Sequence, residues 1–234
     1  MSSLGQTSLA ATMGLCCVGT FLGFESPNKD PATAPTSGDF TQKTSLWFVM
    51  QNVVRVPTAV GLYTTYLAYR WPLVRDPISG GDLSSVNPAL LTWSASTALP
   101  MALLIGAGIP LRLVAYSGLG KNFTFKLREP DELVTTGLYR YVQHPSYTGI
   151  FTLLFANGLL FFRPDGVLRM LAPSVELSKS LWTLWLTGGM SFLCLVLVTL
   201  NKRVQEEEKM LKGVFGQKWI DWHSRTARFI PGIW

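Results

Sequence analysis

Long apolar runs alternate with short polar intervals along the chain, and the runs have the length of helices, not strands. Residues 83–111 hold no Asp, Glu, Lys or Arg, and neither do residues 180–201. A membrane-crossing helix needs roughly 20 mostly apolar residues, so each block is long enough by itself. Five spans are expected, at about 8–24, 46–69, 86–115, 145–162 and 180–201. The first is short and rich in small residues, but nothing basic precedes it, which argues against a signal peptide. Residues 25–45 carry three prolines and read as a flexible loop. Pro88, Pro100 and Pro110 interrupt the third block, which predicts a kinked or two-part helix. The expected fold class is all-α, a polytopic membrane helix bundle. Three regions organise it: residues 1–45, a short span with its polar loop; 46–120, membrane helices; and 121–234, where polar residues concentrate.

Composition agrees with this pattern. Only 15% of the 234 residues are charged and the mean hydropathy is +0.26, against about 25% charged in soluble chains. That excludes a disordered chain, a disulfide-stapled secreted domain and an ordinary cytosolic enzyme. The net charge of +6 does not indicate nucleic acid, because the basic residues flank apolar blocks and form no basic stripe with interleaved aromatics. It reports orientation instead. With five spans, fourteen Lys and Arg fall on the side of the third loop and the C-terminal tail, and five on the other. The positive-inside rule then places residues 121–143 and the tail together in the cytosol. Arg55 sits inside the second block, where a charge is costly enough to require a protein or aqueous interior, or a headgroup within reach. Three cysteines without a CxxC and two histidines, His144 and His223, supply no metal-ligand pattern.

Two polar constellations share the predicted cytosolic face. In the first, Gly137 permits a tight turn and His144-Pro145 marks a helix start, whose free N–H groups favour an anion such as a carboxylate. Tyr139, His144, Ser146 and Tyr147 add donors and aromatic faces; the same residues also suit an interfacial loop with a tyrosine belt and a capping histidine. In the second, Arg203 and Glu207 stand at i and i+4, on one helix face. Glu206, Glu207 and Glu208 repel one another, so one of them calls for a cationic partner or ligand, unless the run is simply a solvated helix start. Trp219, Trp222 and Trp234 read as headgroup anchors. Nucleophile–histidine arrangements, GxGxxG and P-loop patterns are absent from the sequence.

Taken together, Asn122-Phe-Thr, Glu132-Leu-Val-Thr-Thr-Gly-Leu-Tyr139 and His144-Pro-Ser-Tyr147-Thr-Gly149 resemble the isoprenylcysteine carboxyl methyltransferase family. So do the glutamate run, Phe215-Gly216, Trp219 and the ending Arg228-Phe-Ile-Pro-Gly232. The likeness covers residues 120–234, in order. It implies S-adenosyl-L-methionine as methyl donor, held in a cytosolic pocket between the loop before the fourth span and the helix after the fifth, which leads to a C-terminal interfacial helix. Carried over position by position, Arg128, Asp131, Glu132, Leu133, Val134, Tyr139, His144, Pro145, Ser146, Tyr147 and Glu207 would contact the cofactor. Arg203 would address the acceptor's carboxylate, and no metal is implied. The implied acceptor is the C-terminal carboxylate of a prenylated cysteine in the bilayer, and the implied compartment is the endoplasmic reticulum with the C-terminus cytosolic. The chain departs from the family pattern at Gln143, Phe125 and Asp131, where the family has Arg, His and His. Other readings are a methyltransferase for another lipophilic acceptor (a phospholipid amine or small acid), a sterol-reductase-like membrane enzyme, or a non-enzymatic membrane scaffold.

Overall fold

The computed structural model describes residues 4–28, 55–71, 86–125, 127–171 and 175–232. Among them helices are the only regular secondary structure, and the only extended pairing is an isolated parallel bridge between Val142 and Ala227. Seven α-helices follow in order: α1 Leu4–Phe24, α2 Arg55–Arg70, α3 Ala95–Leu103, α4 Ile109–Leu119, α5 Pro145–Phe161, α6 Val175–Phe215 and α7 Gln217–His223. Three runs are long and apolar enough to cross a membrane: Leu4–Phe24, Pro88–Asn122 and Lys179–Phe215. The expected fourth span, α5, has 17 residues and is shorter than the usual crossing length. It sits among α1, α2, α3 and α4, so its neighbours cover most of it. Of the expected second span, α2 is described from Arg55 onward, with Arg55 exposed; Gln51 and Asn52 lie outside the described residues.

Proline chemistry divides the third block. Ser94 opens α3 through a capping box with Thr97, which satisfies helix-end N–H groups that would otherwise be orphaned. Pro110 has no N–H to give. Just before it, residues Leu104–Gly108 form a π-turn, in which the N–H of Ile109 reaches back to the carbonyl of Leu104. The widened turn carries the helix past the proline without ending it.

The membrane-level core gathers Leu9, Met13, Leu67, Met101, Leu153 and Phe161. Small residues bring its helices close. A Cβ at Gly19 would lie 2.4 Å from the Ile109 side chain, and one at Gly149 would lie 2.8 Å from Cγ of Arg112, the close packing that membrane helices use in place of a hydrophobic drive. One polar link crosses this core: Asn157 Nδ2 donates to Thr20 Oγ1 at 3.1 Å and to the Leu153 carbonyl at 2.7 Å. A second cluster of Ala115, Leu133, Tyr139, Leu211, Trp219 and Trp222 forms at the end of the bundle carrying the 121–143 loop and the tail.

Candidate functional site

A cavity of about 190 Å³ opens where α4, the 121–143 loop, the start of α5 and the lower part of α6 converge. Glycine turns shape its entrance. Gly120 and Gly137 adopt positive φ (52° and 60°), a conformation that costs residues with a Cβ, and they reverse the chain at either end of the loop. Asn28, just beyond α1, donates to the carbonyls of Gly120 (2.7 Å) and Phe123 (2.8 Å) and fixes the first reversal.

Of the residues carried over from the family resemblance, Arg128, Glu132, Leu133, Val134, Tyr139, His144, Ser146, Tyr147, Arg203 and Glu207 line this one cavity. Asp131 and Pro145 do not. Asp131 is a surface residue paired with Lys121 at 2.8 Å, and that ammonium holds its carboxyl below the usual range. Pro145 is buried as the first residue of α5, where its missing N–H costs nothing.

Hydrogen bonds tie the two constellations together. The Tyr147 hydroxyl donates to Glu207 Oε2 at 2.9 Å, from α5 to α6. Arg203 Nη2 donates to the Phe125 carbonyl at 3.0 Å, from α6 to the loop. The imidazole of His144 makes no helix cap and stands 3.3 Å from Glu208 Oε1. Glu208 also accepts from Arg228, whose Nε is 2.9 Å away and whose Nη2 reaches the other oxygen. The glutamate run therefore does contain a paired member, Glu208, while Glu207 faces the cavity. Burial first, and then the Glu207 carboxylate, push the Tyr139 phenol well above its ordinary value, so it stays protonated and donates to the Ala115 carbonyl at 3.3 Å.

The tail closes the site from outside. The backbone N–H groups of Gln143 and His144 donate to the carbonyls of Ala227 (2.8 Å) and Arg228 (2.9 Å), and the Gln143 amide reaches the carbonyls of His223 and Thr226. Trp222 Nε1 donates to the Tyr139 carbonyl at 2.8 Å. The tail folds back, so Trp219 and Trp222 are buried within the protein and do not act as headgroup anchors; the Tyr139 carbonyl receives the Trp222 indole N–H, and Trp219 stacks on the His223 ring. Trp234 lies outside the described residues.

Sequence reasoning missed one lining residue of consequence. Arg112, near the end of the expected third span, lies inside α4, only 1% exposed, and lines the cavity. The signal was available, since a lone arginine closing an apolar block is a functional candidate by default.

Residues 100–177 match the model of the isoprenylcysteine carboxyl methyltransferase (ICMT) family, a stretch that contains α4, the loop and α5. A protein-S-isoprenylcysteine O-methyltransferase of Dictyostelium discoideum is 27% identical over 150 residues, which cover 62% of this chain and 53% of that protein. The Mus musculus protein of the same name is 26% identical over 147 residues, covering 61% and 43%. Protein-S-isoprenylcysteine O-methyltransferase B of Arabidopsis thaliana is 25% identical over 145 residues, covering 60% and 61%. The chain spans about half the length of the curated relatives it matches. In its motifs, in its matched region and in these relatives, the chain is similar to the isoprenylcysteine carboxyl methyltransferase family.

Proposed function

We propose that the chain is an integral membrane, S-adenosylmethionine-dependent methyltransferase that esterifies the C-terminal carboxylate of a prenylated cysteine. The observation that carries this reading is the mixed character of a single cavity. Its outer part is lined by Glu132, Tyr139, His144 and Glu207, and Ile150, Thr199 and Leu200 line it from the membrane-spanning helices. A polar donor and an apolar acceptor chain therefore have adjoining surfaces. The proposed cofactor set is Arg128, Asp131, Glu132, Leu133, Val134, Tyr139, His144, Pro145, Ser146, Tyr147 and Glu207, of which all but Asp131 and Pro145 line the cavity.

The residues fit that donor chemically. Glu207 and the protonated Tyr139 and Tyr147 hydroxyls supply polar contacts, and Leu133, Val134 and Leu211 supply apolar walls. When bound, S-adenosylmethionine supplies an electrophilic methyl group on a sulfonium centre. The chain's own task is positioning and exclusion of water. A prenylcysteine carboxylate is already ionised at neutral pH, so no general base is required. Arg203 orients that carboxylate, although a tight charge-assisted pair would also blunt its nucleophilicity. An amine acceptor would require a base, and the groups nearest to that role are engaged: His144 against Glu208, Glu207 with Tyr147.

In the same reading α2 and α5 complete five spans, the 121–143 loop and the tail face the cytosol, and the membrane is that of the endoplasmic reticulum. Incubating the detergent-solubilised chain with methyl-labelled donor and either a farnesylcysteine carboxylate or a phospholipid amine tests the proposal. Base-labile label in the farnesyl product is the expected result. Label in the amine product alone transfers the reading to a lipid N-methyltransferase, and no donor binding at all leaves a non-enzymatic scaffold.

A further inference from the structure

The cavity is lined by a cation that the protein itself leaves incompletely bonded. Arg112 projects from α4 at 1% exposure. Its Nε donates to the Gly23 carbonyl at 2.7 Å and its Nη1 to Ser146 Oγ, and the guanidinium lies 4.5 Å from the centre of the Tyr116 ring. Gly149 leaves room for its stem, since a Cβ there would stand 2.8 Å from Cγ and 3.1 Å from Cδ. Those contacts hold the side chain in one orientation. Yet Nη2 is buried without any hydrogen-bond partner, and among the described residues no carboxylate pairs with it.

A guanidinium stays protonated in proteins, so α4 carries a full positive charge away from water. Burying an ion without a counter-ion costs several kcal/mol after relaxation, and an unpartnered N–H pair adds its own desolvation cost. Carbonyl, hydroxyl and ring faces offset part of this and neutralise none of it. With Nε and Nη1 each donating to protein, Nη2 is left as a charge-assisted donor that a carboxylate oxygen would satisfy. Phe123 and Phe125 flank the group, each with its ring centre 5.8 Å from the guanidinium carbon, and keep competing water away. Arg203, the cation assigned to the acceptor above, lines the same cavity from α6.

The geometry points to Arg112 as a carboxylate-anchoring residue of this cavity, its Nη2 donating to a ligand carboxylate that completes the charge balance. This rests on the methyltransferase reading, in which two carboxylates enter the site: that of the donor's amino-acid moiety and that of the acceptor. The two sources are separable with paired probes. S-adenosylmethionine is compared with its decarboxylated form, which keeps the sulfonium and amine, and N-acetyl-S-farnesylcysteine with its carboxamide. Binding is measured by calorimetry on the full chain in detergent for wild type, Arg112→Gln and Arg112→Lys.

Arg112→Gln is expected to weaken one carboxylate ligand at least tenfold and to leave its carboxylate-free counterpart within about twofold, with Arg112→Lys retaining part of the preference. The pair that responds identifies the source. Equal losses for both members of each pair would mean that Arg112 only supports the fold, and the inference fails. Should the variants not fold, wild type alone decides. Affinities within twofold on removing the carboxylate from both ligands defeat the idea, as does a preference confined to the acceptor pair, which Arg203 already explains; a tenfold preference in the donor pair supports it. If wild type binds neither S-adenosylmethionine nor the farnesyl ligand, the methyltransferase reading itself falls and takes this inference with it.

Discussion

The two halves of α6 belong to one continuous helix, yet they are built for different surroundings. In the upper half Leu184, Met190, Leu195 and Val198 are exposed, and only 6% of the most apolar stretch is buried within the protein. In the lower half Arg203, Val204, Glu208 and Leu211 are all buried, and three of them meet the loop, the tail or α5. Lipid tails are as apolar as leucine, so the upper half needs no protein partner. The lower half carries charges as well as apolar residues, and it buries its apolar stripe and pairs its charges against protein. The cavity lies where the helix changes from one regime to the other, with Thr199, Leu200, Arg203 and Glu207 as successive contributions.

The same substitution made in both halves should break this comparison most sharply if it is wrong. Leu211→Ala removes a buried side chain from the second core and should lower stability by about 2–3 kcal/mol. Leu195→Ala, on an outward face, should change it by less than about 0.5 kcal/mol. Thermal unfolding in detergent, followed by tryptophan fluorescence, reads both. Similar losses would mean that a partner covers the upper half.

Next in size is the ion pair that docks the tail. Glu208→Ala strands Arg228 and removes the group facing His144. Breaking a buried pair costs about 3–5 kcal/mol, but the Arg228 side chain is 38% exposed, so solvent screening reduces the expected loss to about 2 kcal/mol. Adding Arg228→Ala to Glu208→Ala should cost little more, since the stranded charge is then gone. Additive losses, checked by the same unfolding measurement, would refute coupling through this pair.

One turn of α6 separates the two roles proposed for its cavity-facing charges. Arg203→Ala should raise the acceptor KM about tenfold, and Glu207→Ala should weaken donor binding by a similar factor, each about 1.4 kcal/mol. Calorimetry with S-adenosylhomocysteine and initial rates against the farnesyl acceptor test the division. Equal losses of both affinities in both variants would abolish it.

How far the sequence anticipated this site follows from the kind of signal each residue gives. Proline placement foretold the broken third block and the start of α5, because a missing N–H acts locally. The family motifs named ten residues that the fold brings to one cavity, although their spacing alone allowed an ordinary interfacial loop. Asp131 fell outside the lining because Lys121 lies within reach across the loop, a contact that depends on the turn at Gly120. Trp222 was misread since an indole N–H looks the same in sequence whether it meets a headgroup or the Tyr139 carbonyl, and Trp219 because nothing local in the sequence shows the tail folding back over it. Arg112 was passed over because an arginine near the end of an apolar block looks the same in sequence whether it reaches solvent or turns inward, and only the packing of α4 against α1 and α5 buries it.

The smallest expected effect concerns the seam between tail and loop. The His223 ring stacks on Trp219 with centres 4.4 Å apart, and its Nδ1 lies 2.8 Å from Gln143 Oε1. Burial lowers its pKa below the ordinary value, and Arg228, His144 and Lys212 push the same way against Glu208. The folded chain therefore binds fewer protons at this site than the unfolded chain. By linkage, its contribution is fully present above the unfolded pKa of about 6.5 and is lost as pH falls from there towards the folded value. Melting temperature should fall modestly from pH 7.5 to 5.5 in wild type and less steeply in His223→Gln, which keeps a polar group but cannot take up the proton. Leu195→Ala, remote on the lipid-facing half, should retain the wild-type slope. Equal slopes in wild type and His223→Gln would show that the seam does not titrate, and that the tail is held by Glu208 and the backbone alone.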